Sequence, residues 1–443
     1  MLAALYFPII AGLASPRVAP EELKGIISGN IENAIARMGR RMHTNIASRN
    51  PETNNWQLYA DLLLASGKEE DAEAAYQFVQ RGVRSTRTGA RVRLCRNAAW
   101  RALFRHRFGL ALMSFSRVIE DGEADSVARL EARVGAALAL SSVGQPEEAI
   151  KLCEASLSAL VDIDCHEKRV WHDVIATIAQ DIRVQYRLRT LLGMQNRVHG
   201  NTETYRVDRF KSALLKVRVL NGSSADLLAW RADYLCALDD LANGERSSLA
   251  CMRQHLEWSI RSGLSYYPRL VRIECAMAAL AANMDAIAEQ FVVPLEVLLH
   301  PRATIQGSGE RNLLELLFCF ARIRQLQDKS KDALHYYTAY SALAIDILRS
   351  DNRAVFAFLG RVNHTGAAPL DDLSLRLPPK YRRAYRYMLE NLDRARLSVG
   401  EVAAEAGVTE RALQVAFKAH LGLTPGELIR RTREDNRKER EFI

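Results

Sequence analysis

The spacing of apolar residues predicts helices along almost the whole chain. From about residue 21 to residue 361, apolar positions recur every three to four residues, and little of the sequence alternates as strands do. Short breaks rich in Gly, Asn, Asp and Ser separate the periodic stretches. We therefore predict an all-α fold of paired antiparallel helices, with no β-sheet between positions 25 and 360.

A repeated phrase marks this helical region. An Ala- and Leu-rich helix ends at Gly67 and is followed by an acidic, Ala-rich helix, and the same order recurs around Gly144. Looser copies follow the same plan, and the turns are 35 to 45 residues apart within each of two groups, 67 to 144 and 244 to 328. The predicted turns lie at Gly67, Gly109, Gly144, Gly244, Asn283 and Asp328.

This phrase resembles degenerate tetratricopeptide repeats, helix-turn-helix units of about 34 residues with small residues at the helix crossing. No copy keeps the whole pattern, so a generic helical array is the alternative. Either one gives a solenoid, and the resemblance implies a right-handed one whose surface takes a protein or peptide partner. The small positions would be Ala74, Ala111 and Ala149, and the larger packing positions Tyr76, Phe115 and Leu152.

A second module is predicted after a linker. The Gly- and Pro-containing stretch 366–379 divides a helical-repeat domain at 1–365 from a second domain at 380–443. In the second domain, Ser398 is expected to cap one helix and Thr409 another, with Gly407 in a left-handed turn between them. A further helix before them would turn inward Tyr385, Met388, Leu389 and Leu392.

The helix that runs from Glu410 to about Leu421 has two distinct faces. Its inward stripe is predicted to be Leu413, Phe417 and Leu421. Its outward residues have lengths and donors that reach base edges and phosphates in a major groove. A helical hairpin that only packs on its neighbours is the alternative. The outward residues are Arg411, Gln414, Val415 and Lys418.

The order Val-Ala-Ala-Glu-Ala-Gly-Val-Thr, followed by Leu413, Phe417, Gly422 and Pro425, resembles the AraC/XylS family of bacterial transcription regulators over about the last sixty residues. The resemblance implies a C-terminal helix-turn-helix domain whose recognition helix starts at Thr409. Family domains carry two such units, and this sequence shows only the first. The implied base contacts are Arg411, Gln414 and Val415, and the expected phosphate contacts are Lys418, Arg382, Arg383 and Arg386.

The union of both modules resembles the Hrp-type activators of type III secretion genes in plant-associated bacteria. It implies a virulence-related, sequence-specific transcription activator with double-stranded promoter DNA and RNA polymerase as partners, and it leaves a homodimer open. The competing hypothesis is a helical-repeat adaptor that has lost DNA binding because the second helix-turn-helix is missing.

Excess positive charge is concentrated in the predicted DNA-binding domain. The chain of 443 residues has a net charge of +9, and its last 64 residues hold 14 Lys and Arg against 10 Asp and Glu, a net +4. The remaining 379 residues therefore carry only +5. This distribution favours a nucleic-acid-binding module on a nearly balanced body.

The sequence offers only weak candidates for a catalytic, cofactor or metal-binding site. Seven widely spaced cysteines include no Cys-x-x-Cys pair, which predicts free, mostly buried thiols in a reducing compartment and no zinc. The group Cys165, His166, His172 and Asp173 is too small for a catalytic site, and the turn at 307–310 lacks the lysine of a phosphate loop. We therefore predict no enzyme activity, no cofactor and no metal.

The apolar start of the chain raises the question of export. Residues 1–14 lack the positively charged beginning of a signal peptide and are too few to span a bilayer. We predict a cytoplasmic protein without membrane contact.

Overall fold

The computed structural model describes residues 2–15, 18–45, 53–82, 87–165, 167–194, 227–299, 310–345, 377–378, 381, 384–385, 387–388, 397–405, 407–421, 423–430 and 433. All regular secondary structure in these residues is helical, and none of them lies in a β-strand. The all-α prediction is confirmed. The chain forms two compact units, Met1–Val362 and Asn363–Ile443.

Short turns join most of the neighbouring helices of the first unit within the described residues. Two 3₁₀ segments, Arg246–Ser248 and Val293–Leu299, lie among them. The helices are α1 (Ala3–Ala14), α2 (Pro20–Ile27), α3 (Ile31–Asn45), α4 (Thr53–Ala65), α5 (Glu69–Gly82), α6 (Arg87–Phe104), α7 (Phe108–Glu120), α8 (Ser126–Ser142), α9 (Pro146–Leu160), α10 (Lys168–Leu191), α11 (Leu227–Ala242), α12 (Leu249–Arg261), α13 (Tyr267–Ala281), α14 (Asp285–Val292), α15 (Glu310–Leu326) and α16 (330–345).

Helices that are neighbours in the chain pack on each other, most extensively between α4 and α5 and along the series from α6 to α10. The turns inside successive pairs contain one residue with positive φ, the left-handed conformation that ends many helices. These residues are Gly67 (φ 81°), His106 (φ 55°), Gly144 (φ 85°), Gly244 (φ 98°), Asn283 (φ 56°) and Asp328 (φ 59°).

Five of the six predicted turn positions are confirmed, and the one at Gly109 is wrong. Gly109 is buried inside α7, and the turn before it falls at His106. Histidine, like Asn and Asp, adopts the left-handed region more readily than most residues do, so a glycine was not needed.

Two of the three small positions predicted at helix crossings are buried, as such positions require. Ala111 and Ala149 are fully buried, but Ala74 is not, and Ala72 and Ala75 are buried instead. Helix α5 begins at Glu69, which turns positions 72, 75, 76 and 79 inward at helical spacing. Ala74 is exposed, so the prediction for this helix is wrong.

The first helix lies in the interior of the first unit. Every residue from Ala3 to Leu13 is buried, and α1 packs against α4, α6, α8 and α10, the first helices of successive pairs and the helix that follows them. A helix that is apolar on all sides belongs in a core. The apolar start of the chain is thus a core element, and it covers the face formed by these four helices.

Distant parts of the first unit also meet at their turns. The Ser265 hydroxyl, in the turn between α12 and α13, donates a hydrogen bond to the carbonyl of Ser66, 199 positions earlier. The hydroxyl of Tyr266 donates to Glu69 at 3.4 Å. These bonds join the fourth and fifth helices to the twelfth and thirteenth.

An arginine held between two acids links α4, α6 and α8. The Arg96 guanidinium donates to both oxygens of Asp61, at 2.9 and 2.8 Å, and to Glu131 at 2.9 Å. Asp61, Arg96 and Glu131 follow one another at intervals of 35 positions, close to the repeat length. Tyr76 donates to Asp61 at 2.6 Å and Trp100 to Glu131 at 2.9 Å, so the buried carboxylates have further donors.

A second arginine repeats the arrangement on α10, α11 and α13. Arg231 is fully buried, donates to both oxygens of Asp181 at 2.8 and 2.9 Å, and contacts both oxygens of Glu274 at 2.9 and 2.8 Å. Consecutive residues of α1 reach both clusters. Tyr6 donates to Asp181 at 2.8 Å, and the Phe7 ring lies 5.8 Å from the Arg96 guanidinium.

The seven cysteines are all free, as predicted, although only three of them are buried. Burial raises the pKa of Cys153 and of Cys275 to about 12 and that of Cys319 higher still. Because the thiolate is the reactive form, we expect these three to react slowly with a thiol reagent at pH 7. Thiol titration should find seven reactive groups in denaturant, and protection of fewer than three in the native protein would contradict the assignment.

Candidate nucleic-acid interface

The second unit has its own apolar core. Its described helices are α17 (Val399–Glu405), α18 (Glu410–Leu421) and α19 (425–430), with further helical residues between 381 and 388. Leu389 and Leu392, which were predicted to face inward, lie outside the described residues. The buried core is Leu377, Ala384, Tyr385, Met388, Val402, Ala403, Leu413, Phe417, Leu428 and Ile429.

Helix α17 begins at its predicted cap. The Ser398 hydroxyl accepts a hydrogen bond from the backbone N–H of Glu401 at 3.1 Å. The Glu401 carboxylate in turn accepts from the Tyr387 hydroxyl at 2.7 Å. This bond ties α17 to the helical residues before it, a contact that the capping pattern alone did not indicate.

The turn after α17 redirects the chain at Gly407. Its φ is +61°, and the N–H groups of Gly407 and Val408 donate to the carbonyls of Ala404 and Ala403, each at 3.0 Å. Nothing lies within 4 Å of a Cβ placed on Gly407, so the backbone conformation and not the space favours glycine there.

Helix α18 is capped at its start, and another helix follows closely after its end. The Thr409 hydroxyl accepts from the N–H of Ala412 at 3.2 Å. Beyond α18, the N–H of Thr424 donates to Glu427 at 2.8 Å, and the N–H of Glu427 donates back to the Thr424 hydroxyl at 3.4 Å. The bond from the Thr424 backbone lowers the pKa of Glu427. This reciprocal pair is a capping box that starts α19.

The two faces of α18 separate as the sequence predicts. Leu413 and Phe417 are completely buried, and Val415 is 62% exposed. Arg411, Gln414 and Lys418 are exposed on the same side as Val415. Neither Arg411 nor Lys418 has an ion-pair partner within the described part of the chain. The guanidinium, amide and ammonium donors of this face are thus open to solvent.

Three of the predicted DNA-contacting residues are not among the described residues, and two buried residues of this unit were not predicted from the sequence. Arg382, Arg383 and Arg386 lie outside the described residues. Leu428 and Ile429 on α19 are buried and were not among the residues predicted to face inward. The signal was present as a Thr-x-x-Glu capping box followed directly by two apolar residues.

The other candidate groups do not gather into a reaction centre. The Nδ1 atom of His172 lies 3.3 Å from the carboxylate of Asp173. His166 and residues 307–309 are not among the residues that the structure describes. Burial raises the pKa of the Cys165 thiol, which lowers its thiolate fraction. Across the described residues, no group of three or more His, Cys, Asp or Glu could hold a metal ion, and no helix has the length and apolar character needed to cross a membrane.

Comparison with known proteins gives one informative match. No protein-family model and no solved structure matches the chain. It is 30% identical to "Regulatory protein HrpB" of Ralstonia nicotianae over 444 aligned positions, which cover 98% of this chain and 89% of that protein. The chain belongs to the HrpB family of regulatory proteins. The alignment spans both units, and the AraC/XylS and tetratricopeptide resemblances remain predictions.

Proposed function

We propose that the chain is a DNA-binding transcription activator of hrp-type genes, and that α17, the Gly407 turn and α18 form a helix-turn-helix with α18 as its recognition helix. The observation that carries the proposal is the division of α18 into a fully buried stripe and an exposed stripe of Arg411, Gln414, Val415 and Lys418. The relative's name supports a regulatory role in an hrp system. Type III secretion, virulence and RNA polymerase contact follow from the Hrp resemblance.

The geometry of α18 suits a major groove. Its 12 residues correspond to a helix about 18 Å long, and a helix fits the groove of about 12 Å width. Leu413 and Phe417 fix its rotation about its own axis, and Thr409 fixes its first turn. In this orientation Arg411 and Gln414 can form bidentate hydrogen bonds with base edges, and the exposed Val415 can contact a thymine methyl group.

Arg411→Ala and Gln414→Ala are expected to relax base preference. Each should lose about 1–3 kcal/mol at one position of the preferred site and bind other sequences nearly as before. Selection from randomised duplexes would define the site, and fluorescence anisotropy on single-base variants would measure the losses. Arg253→Ala, a change of the same type on the exposed face of α12, is the control. Unchanged affinity and base preference in both variants would favour the helical-repeat adaptor.

Lys418→Ala is expected to weaken binding to all duplexes alike. Lys418 lies one turn beyond Gln414 towards the C-terminal end of α18, where it suits a phosphate. Loss of one phosphate contact should reduce the slope of log K against log salt by about 0.9, with base preference kept. A change confined to one base position would instead make Lys418 a base-reading residue. We expect the same uniform weakening for Arg382, Arg383 and Arg386.

For the first unit, we propose a tetratricopeptide-like solenoid that binds a protein or peptide partner or a second copy of the chain. The paired helices and the 35-residue spacing of Asp61, Arg96 and Glu131 support the repeat assignment. A single recognition helix reads a short half-site, so we expect tight binding to require two half-sites and a dimer or a partner. Analytical ultracentrifugation with and without a two-site duplex tests this, and nanomolar binding by a monomer to one half-site would contradict it.

A further inference from the structure

A cavity of about 570 Å³ opens in the first unit beside the C-terminal end of α1. Its wall is formed by α1, α4, α6 and α8 and by the loops that precede α8 and α10. The volume lies within the range of about 300–1,000 Å³ that is typical of small-molecule sites. Nothing in the proposed DNA contacts uses it.

The deep end of the cavity carries an excess of negative charge. Arg96 lies there between Asp61 and Glu131, so two carboxylates face one guanidinium. Both carboxylates are at most 2% exposed. In this weakly solvated setting a remaining negative charge favours a cation more than it would in water.

The rim adds three further carboxylates. Glu123, Asp125 and Asp164 line the cavity and are exposed, while Arg93 is the single cation beside them among the described lining residues. One oxygen of Asp125 caps α8 by accepting from the N–H of Ala128 at 2.6 Å. The side chains of Glu123 and Asp164 have no ion-pair partner in the described part of the chain. All the lining residues together carry five negative and two positive charges, a net −3.

The rest of the cavity wall is mainly apolar and contains one hydroxyl without a hydrogen-bond partner among the described residues. The oxygen of Ser15, at the end of α1, is shielded from solvent and has no hydrogen-bond partner among the described residues. Apolar side chains come from α1, α4, α6 and α8. They are Ala11, Leu13, Leu58, Val92 and Val127.

We propose that this cavity binds a small organic cation, with an ammonium or guanidinium group at the rim carboxylates and an apolar body against the wall. The net charge disfavours an anion of similar size, because it would add to the existing repulsion. A neutral ligand would cover the rim carboxylates without compensating them, which costs free energy. A metal ion is not favoured, because no group of three ligating side chains is found in the described part of the chain.

The test uses the full chain and three probes with the same body: 4-phenylbutylamine, 4-phenylbutanol and 4-phenylbutyrate. Isothermal titration calorimetry should detect the amine, with an affinity that falls as salt rises. The alcohol and the acid should bind at least about tenfold more weakly, the loss expected when the charged contact is absent. No detectable amine binding, or equal binding by the alcohol, would overturn the proposal.

A variant whose rim carboxylates are replaced by amides tests whether the amine binds in this cavity. The variant Glu123→Gln, Asp125→Asn and Asp164→Asn should bind the amine at least about tenfold more weakly and unfold at the same urea concentration, because Asn caps helices as well as Asp does. Glu120→Gln, an exposed position at the end of α7 outside the cavity, removes one charge nearby and should leave the affinity unchanged. Undiminished binding in the triple variant would place the amine elsewhere and refute the site.

Discussion

Arg231→Met should destabilise the first unit by about 3–5 kcal/mol, because it leaves Asp181 and Glu274 buried without their counter-charge. Methionine is also a long, unbranched side chain, so packing changes little and the effect is mainly electrostatic. All five tryptophans precede residue 259, so their fluorescence during urea unfolding reports on the first unit. Arg253→Met on the exposed face of α12 is the matched control and should change stability by less than about 0.5 kcal/mol.

The loss of stability caused by Arg231→Met should become smaller as the pH falls. Burial already raises the pKa of Glu274, and Arg231 acts against that rise. Without Arg231 the folded-state pKa of Glu274 rises further above its unfolded value of about 4, so the cost is present at neutral pH and falls as this carboxyl takes up a proton. We expect a smaller difference from the parent at pH 5 than at pH 7.

Removing the two charges should restore much of the lost stability. In the variant that combines Arg231→Met with Asp181→Asn and Glu274→Gln, no unpaired charge remains in this cluster. The Tyr6 hydroxyl, which donates to Asp181 in the parent, can still donate to the amide oxygen of the new side chain. A single Arg231→Met change that costs under about 1 kcal/mol at pH 7 would show that water reaches these carboxylates in solution.

The helical order was predictable because it depends on local rules. Helical periodicity, caps at Ser398, Thr409 and Thr424, and turns that need a left-handed residue are all set by a few neighbouring positions. The same rules separated the faces of α18 correctly. His106 shows their limit, since a left-handed turn accepts several residue types and glycine is only the most frequent.

The tertiary pairing was harder to predict because it joins residues far apart in the chain. Asp61, Arg96 and Glu131 follow the repeat period, so the first buried cluster left a weak signal in the sequence. The second cluster brings together Asp181, Arg231 and Glu274, at separations of 50 and 43, and it has no such regularity. No local pattern shows that α1 reaches both clusters.

Phe7→Ala is expected to destabilise the first unit by about 3–5 kcal/mol, as is typical for a buried phenylalanine. The Phe7 ring is fully buried, 4.2 Å from the ring of Trp100 and 5.4 Å from that of Phe104. The matched control is Phe78→Ala. The Phe78 side chain is 37% exposed and its ring lies 4.5 Å from that of Trp56, so we expect a loss of about 1 kcal/mol.

Deletion of residues 2–14 tests the whole helix. This segment fills the interior between α4, α6, α8 and α10, so its removal exposes apolar faces on all four helices, and the first unit should fail to unfold cooperatively in urea. A removable export signal would have the opposite property, because the rest of the chain would fold without it. If the shortened chain unfolded cooperatively at the same urea concentration as the full one, α1 would not be a core element, and the face it covers would be open to a partner.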